Sequence, residues 1–123
     1  MIKAVFYRHS SGGRAGALCG FSVSGHAGYG TEGNDIVCAA VSSAVMLVCN
    51  AVTDHLNASA RVDVEENRIT LTLKEENVPA QQLIEAFYGH MEIIAEEHGR
   101  VKLEVKFTGG EKNDQNQFTV FRS

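Results

Sequence analysis

An imidazole and a thiol frame a glycine-rich stretch of this 123-residue chain within residues 25–43, which read GHAGYGTEGNDIVCAAVSS. His26 closes an alternating, strand-like segment, and Cys38 stands twelve positions later in the first turn of an apolar helical pattern. The first four N–H groups of a helix lack intrahelical partners and carry its positive pole, and both features favour a thiolate. A thiolate attacks carbonyl carbon, and a neighbouring imidazolium can hold the ion pair and then protonate the leaving amine. The same N–H groups can bind the oxyanion of the tetrahedral intermediate, where loss of one donor costs about 10²–10³ in rate. A plain structural role competes at each position. Cys38 also fits as one more small residue of a buried helix, and His26 as a loop histidine without a task. Asp35 is an N-cap by type, or else orients His26; its carboxylate would oppose ionisation of a nearby thiol. Ser42 lies one turn after Cys38 on the same face, where it either bonds to the pair or bonds back to the helix backbone.

Several elements are needed to position these groups. Residues 2–8 alternate and form a first strand, and Phe21 and Val23 alternate with Ser22 and Ser24 in a second, antiparallel to it. The stretch 10–16, rich in Ser and Gly, reads as their connection. Residues 25–33 hold Gly25, Gly28, Gly30 and Gly33, and break regular structure. Asn34 or Asp35 caps a helix over 36–56 that is apolar almost all round, so it is expected to be covered on more than one side, by a sheet and by a second helix or subunit. RVDVE and RITLTL alternate across Glu66-Asn67 as a hairpin. Pro79 opens an amphipathic helix that Gly99 ends, with Leu83, Ile84, Phe87, Met91 and Ile94 on its apolar face. VKLEVKF is the last strand. The expected fold is α+β, in the order ββαββαβ, with a mostly antiparallel sheet packed against two helices. One domain spans 1–108, and 109–123 form a polar tail or, through FTVF, a short extra strand.

Composition narrows the function. A chain of this length with 44 % hydrophobic residues can bury a core without staples. The net charge of −4 argues against a nucleic-acid footprint. Three unpaired-spacing cysteines point to free thiols in a reducing cytoplasm. The N-terminal segment lacks the pattern of a signal peptide, and no apolar run is expected to cross a membrane.

The run GHAGYG…DIVCAAVSS resembles the ribosomal-processing cysteine protease family, Prp. The resemblance extends to the length and the element order. It implies a cysteine endopeptidase without cofactor or metal. Such an enzyme would remove the N-terminal extension of a large-subunit ribosomal protein precursor, a hydrophobic segment ending in aromatic residues. His26 and Cys38 match the dyad, and Asp35 and Ser42 fall at supporting positions. Gly25, Gly28, Tyr29, Gly30 and Gly33 belong to a substrate loop over the site. The resemblance also implies a homodimer. Gly30, Glu32 and Gly33 depart from the bulkier loop expected, and the tail after Phe107 runs past the family's usual end.

Three other readings compete. Residues 28–33 spell GxGxxG, the outline of a dinucleotide fingerprint. Glu32 would oppose a pyrophosphate, however, and the hairpins do not suit a doubly wound parallel sheet. A metal site lacks any CxxC or HxxxH spacing; Cys49 reads as core, and His9, His55, His90 and His98 as surface or helix-end residues. A non-catalytic module that binds a ribosomal protein would use the same loop and groove.

Overall fold

The computed structural model describes residues 1–11, 14–25 and 35–108. The order is β1 (Ile2–Ser11), β2 (Arg14–Ser24), α1 (Asp35–Asn50), a π-helical turn (Ala51–His55), β3 (Ala60–Glu65), β4 (Arg68–Leu73), α2 (Val78–His98) and β5 (Val101–Thr108). The ββαββαβ order is therefore present. The strands form one five-stranded sheet in the order β3-β4-β2-β1-β5. β3 with β4, β4 with β2 and β2 with β1 pair antiparallel, and β5 lies parallel to β1. The parallel pair follows from α2, which carries the chain back along the sheet so that β5 starts at the same end as β1.

Strand alternation divides the sheet into two unlike faces. Ala4, Phe6, Phe21, Val23 and Leu71 belong to the buried core with Val41, Val45, Ile84 and Phe87 of the helices. Aromatic rings close its centre: Phe6 lies 5.4 Å from Phe87 and 5.1 Å from Tyr88, and Phe21 lies 4.9 Å from Phe87, all edge-on. The opposite face pairs Ser22 with Thr70 and carries Lys3, Lys102 and Glu104, with Tyr7 buried among them. Gly20 lies close against β4; a Cβ there would stand 2.4 Å from the Leu71 carbonyl oxygen.

Three sequence expectations are corrected. The stretch 10–16 is not a connection: β1 runs to Ser11, β2 begins at Arg14, and Ser10 pairs with Ala15. Register shifts beside Arg8 absorb the mismatch and blur the alternation on which strands are recognised. The single helix over 36–56 divides at Asn50, after which Leu56 N–H bonds the Ala51 carbonyl, five residues back, and Ala58 N–H bonds that of Val52. Residues Ile36–His55 are also long and apolar enough to cross a bilayer by composition, with mean hydropathy 2.1. Val37, Val41, Val45, Val48 and Val52 nevertheless face the protein core, as in the central helix of a folded domain.

The face of α1 turned away from the core is not covered by the described residues. Ile36, Met46 and Leu47 are 79 %, 57 % and 68 % exposed, and Ala39 and Ala40 lie exposed between them. α2 is closed at both ends. Asn77 Oδ1 accepts from Ala80 N–H at 2.9 Å, Pro79 stands in the first turn, and Gly99 takes the left-handed conformation at φ 68°. Residues 109–123, with the expected tail or extra strand, lie outside the described residues.

Asn77→Ala removes the cap of α2 and is expected to destabilise the fold by about 1 kcal/mol, read as a lower urea midpoint, whereas Asn77→Asp preserves the acceptor and most of the stability.

Candidate active site

β2 ends at Ser24, and Gly25 turns the chain out of the sheet with φ +83°. Its N–H bonds the Asn67 carbonyl at 3.1 Å, and a Cβ there would lie 2.4 Å from the Met1 carbonyl oxygen. Glycine is required twice over, by conformation and by space. The departure point is thus clamped between the start of β1 and the β3–β4 turn. His26 follows Gly25 directly in sequence. His26, Gly28, Tyr29, Gly30 and Gly33 lie outside the described residues.

The chain resumes with Asp35 as the first residue of α1, and the Asp35 side chain is not among the described parts. Cys38 is the fourth residue of the helix. Its thiol is buried, at 4 % exposure, within the core cluster. Ser42 is half-buried one turn later, so the two side chains lie above one another on the helix. α1 and the π turn deliver the chain to Ala60, which pairs with Leu73 at the far end of the sheet. The N-terminal turn that holds Cys38 therefore lies toward the end where Gly25 leaves β2. The structure sets Cys38, Ser42 and the start of the glycine-rich segment in place.

The other thiols differ. Cys49 is buried on the same helix, and burial pushes its thiol up to about 11. Cys19 donates to the Tyr7 carbonyl at 3.4 Å and lies 3.8 Å from Thr108 Oγ1. Burial raises its pKa, and the Thr108 contact offsets part of that rise. Among the described residues no three His, Cys, Asp or Glu side chains gather as a metal site would require. His9, His55, His90 and His98 are exposed.

A buried thiol thus stands in the opening turn of α1, the helix that follows the glycine-marked departure from β2. The family match makes the chain a cysteine protease. It belongs to the family described as cysteine protease Prp, whose family model matches residues 1–101. Among solved structures, the crystal structure of SMU.848 from Streptococcus mutans is 29 % identical. The match covers 88 % of this chain and 96 % of that one, with a TM-score of 0.75. An essential ribosomal processing protease Prp from S. aureus, solved with a covalently linked product peptide, is 22 % identical over 86 % of this chain and 100 % of that one, with a TM-score of 0.72. The same protease with a substrate peptide is 19 % identical over 88 % of this chain and 100 % of that one, with a TM-score of 0.71. At these last two identities the match shows the shared fold. No curated protein matches the sequence.

In the native protein at pH 8, Cys49 is expected to react with iodoacetamide about a hundredfold more slowly than in urea, from ionisation alone. Its rate should climb as the pH approaches 11; peptide-resolved mass spectrometry would read both.

Proposed function

We propose that the protein removes the N-terminal extension of a large-subunit ribosomal protein precursor, with Cys38 as nucleophile and His26 as its proton partner. The observation that carries this reading is the place of Cys38 in the first turn of α1, within the segment whose sequence resembles the Prp motif. The thiolate attacks the scissile carbonyl carbon, and the C–O π pair moves onto oxygen. N–H groups of the helix start donate hydrogen bonds to that oxyanion. His26, as imidazolium, protonates the leaving amine as the C–N bond breaks, leaving a thioester on Cys38. Water, deprotonated by His26, then attacks the thioester and expels the thiolate. Asp35 caps the helix or orients His26, and Ser42 supports the nucleophile's turn. The segment from Gly25 through Gly28, Tyr29, Gly30 and Gly33 holds the extended substrate, and substrate binding completes the site. The working compartment is the cytoplasm, and the reaction needs neither nucleic acid nor membrane.

The protein acts as a homodimer in this reading. The exposed stripe of Ile36, Met46 and Leu47 supplies an apolar surface of the kind that a second copy covers. Leu47→Lys is expected to shift the protein to monomer in sedimentation analysis without loss of helical circular dichroism; a dimer that persists would locate the interface elsewhere.

The central experiment mixes the purified protein with the full-length ribosomal precursor and identifies the new N-terminus by mass spectrometry. Cys38→Ala and His26→Ala should each abolish cleavage while keeping fold and precursor binding, and Asp35→Asn should lower the rate less. Substantial turnover by His26→Ala would refute the dyad. Binding without any cleavage by the unaltered protein would favour the non-catalytic module.

A further inference from the structure

At the end of the sheet away from Gly25, a cavity of about 730 Å³ opens between the β1–β2 hairpin, the end of β4 and the first turns of α2. Its wall includes Ala17, Cys19, Thr72 and Leu73, and Glu75 and Glu76 stand at its rim. Leu73 is buried, Cys19 is half-buried, and the two glutamates are exposed. His9 and Lys74 also line it, so with neutral histidine the rim charge is −1. The cavity is distinct from the candidate active site, which lies toward the opposite end of the same strands.

The chain itself passes this cavity. Thr108, the last residue of β5, pairs with His9 and stands 3.8 Å from the Cys19 thiol, so two of its contacts are cavity residues. Residues 109–123 continue from that point. They begin with Gly109-Gly110, run polar to Gln117, and close with Phe118, Thr119, Val120, Phe121 and Arg122. Nine residues, 109–117, separate Thr108 from Phe118. Such a linker reaches up to about 30 Å when extended, far more than a return to an adjacent cavity needs, and slack in it costs little closure entropy. The tail is also outside the family match, which ends at residue 101.

We propose that this cavity is the docking site of the chain's own C-terminal segment, with Phe118 and Phe121 against Ala17 and Leu73 and Arg122 at Glu75 and Glu76. The polar linker and the apolar end divide the tail as a tether and an anchor would. The acidic rim complements the one charge inside the anchor. Linkage to Thr108 places the anchor at an effective concentration that makes modest contacts sufficient.

Cys19 is a built-in reporter, because it lines the cavity. The full chain, a chain ending at Thr108, and the full-length double variant Phe118→Ser/Phe121→Ser would be labelled with iodoacetamide, and Cys19 read by peptide-resolved mass spectrometry. Docking predicts that Cys19 reacts about tenfold or more slowly in the full chain than in either variant, as suits a tethered segment at millimolar effective concentration. Equal rates in the full chain and the double variant, with both folded by circular dichroism, would overturn the proposal even if the shortened chain failed to fold. Protection that fades on dilution would assign the occupant to a second copy and overturn docking within one chain.

Discussion

The burial of one face of α1 against the sheet is the constraint on which the site depends. Val37, Cys38, Val41, Val45, Val48 and Val52 all belong to the core cluster. Valine is a middling helix former, so this helix is held by what it packs on more than by its own preference. Packing of that stripe fixes the rotation of the helix about its axis. Once the valines face the sheet, the Cys38 sulfur has one direction available and Ser42 follows one turn later. A rotation that freed Cys38 would expose several valines, at roughly 1.5–3 kcal/mol for each fully buried side chain.

The sheet supplies the second half of the positioning. Its strands run between two ends of different construction. At one end, Gly25 is pinned by the Asn67 carbonyl and by the close approach of Met1, so the chain leaves β2 from a fixed point. At the other end, the hairpin, the start of α2 and the close of β5 meet around Cys19 and Thr108. Arg8 ties that region to α2 through Glu85 at 3.0 Å and to the hairpin through the Gly16 carbonyl at 2.9 Å. The Arg8–Glu85 pair is partly exposed, so its worth lies in alignment more than in energy.

Much of this was legible in the sequence because single, local signals carried it. RVDVE and RITLTL alternate without interruption, and β3 and β4 stand where that pattern put them. Pro79 and Gly99 mark the ends of α2 by their backbone chemistry, and both do so in the structure. The full extent of β1 and β2 was hidden because the register shifts beside Arg8 break the two-residue period, and because Ser and Gly there suggest a turn. The parallel β1–β5 pair was hidden because partner choice is set by the crossover through α2 and leaves no mark within VKLEVKF. The π turn was hidden for a similar reason: AVTDH continues the helical pattern, and only the backbone bonding changes. Cys38 was legible as a candidate through its place beside a capping residue and a glycine-rich run, whereas the proximity of Cys19 to Thr108 joins positions 89 apart and has no local signature.

Burial alone does not separate a nucleophile from a core thiol in this protein, because Cys38 and Cys49 are both buried on α1. They are eleven residues apart, close to three turns, and so share a face of the helix. What differs is distance along the axis. Cys38 lies in the turn where backbone N–H groups have no intrahelical acceptors. Cys49 lies about 16 Å further on, at 1.5 Å per residue, inside a helix that continues through His55. There the N–H groups are already paired, and the Cys49 carbonyl receives the Thr53 hydroxyl at 3.0 Å. Apolar surroundings act on that sulfur without compensating donors, which is why its thiol is held in the neutral form. The same helix therefore places one thiol at its open start and another, held neutral, three turns later, and the glycine-rich segment joins at the start.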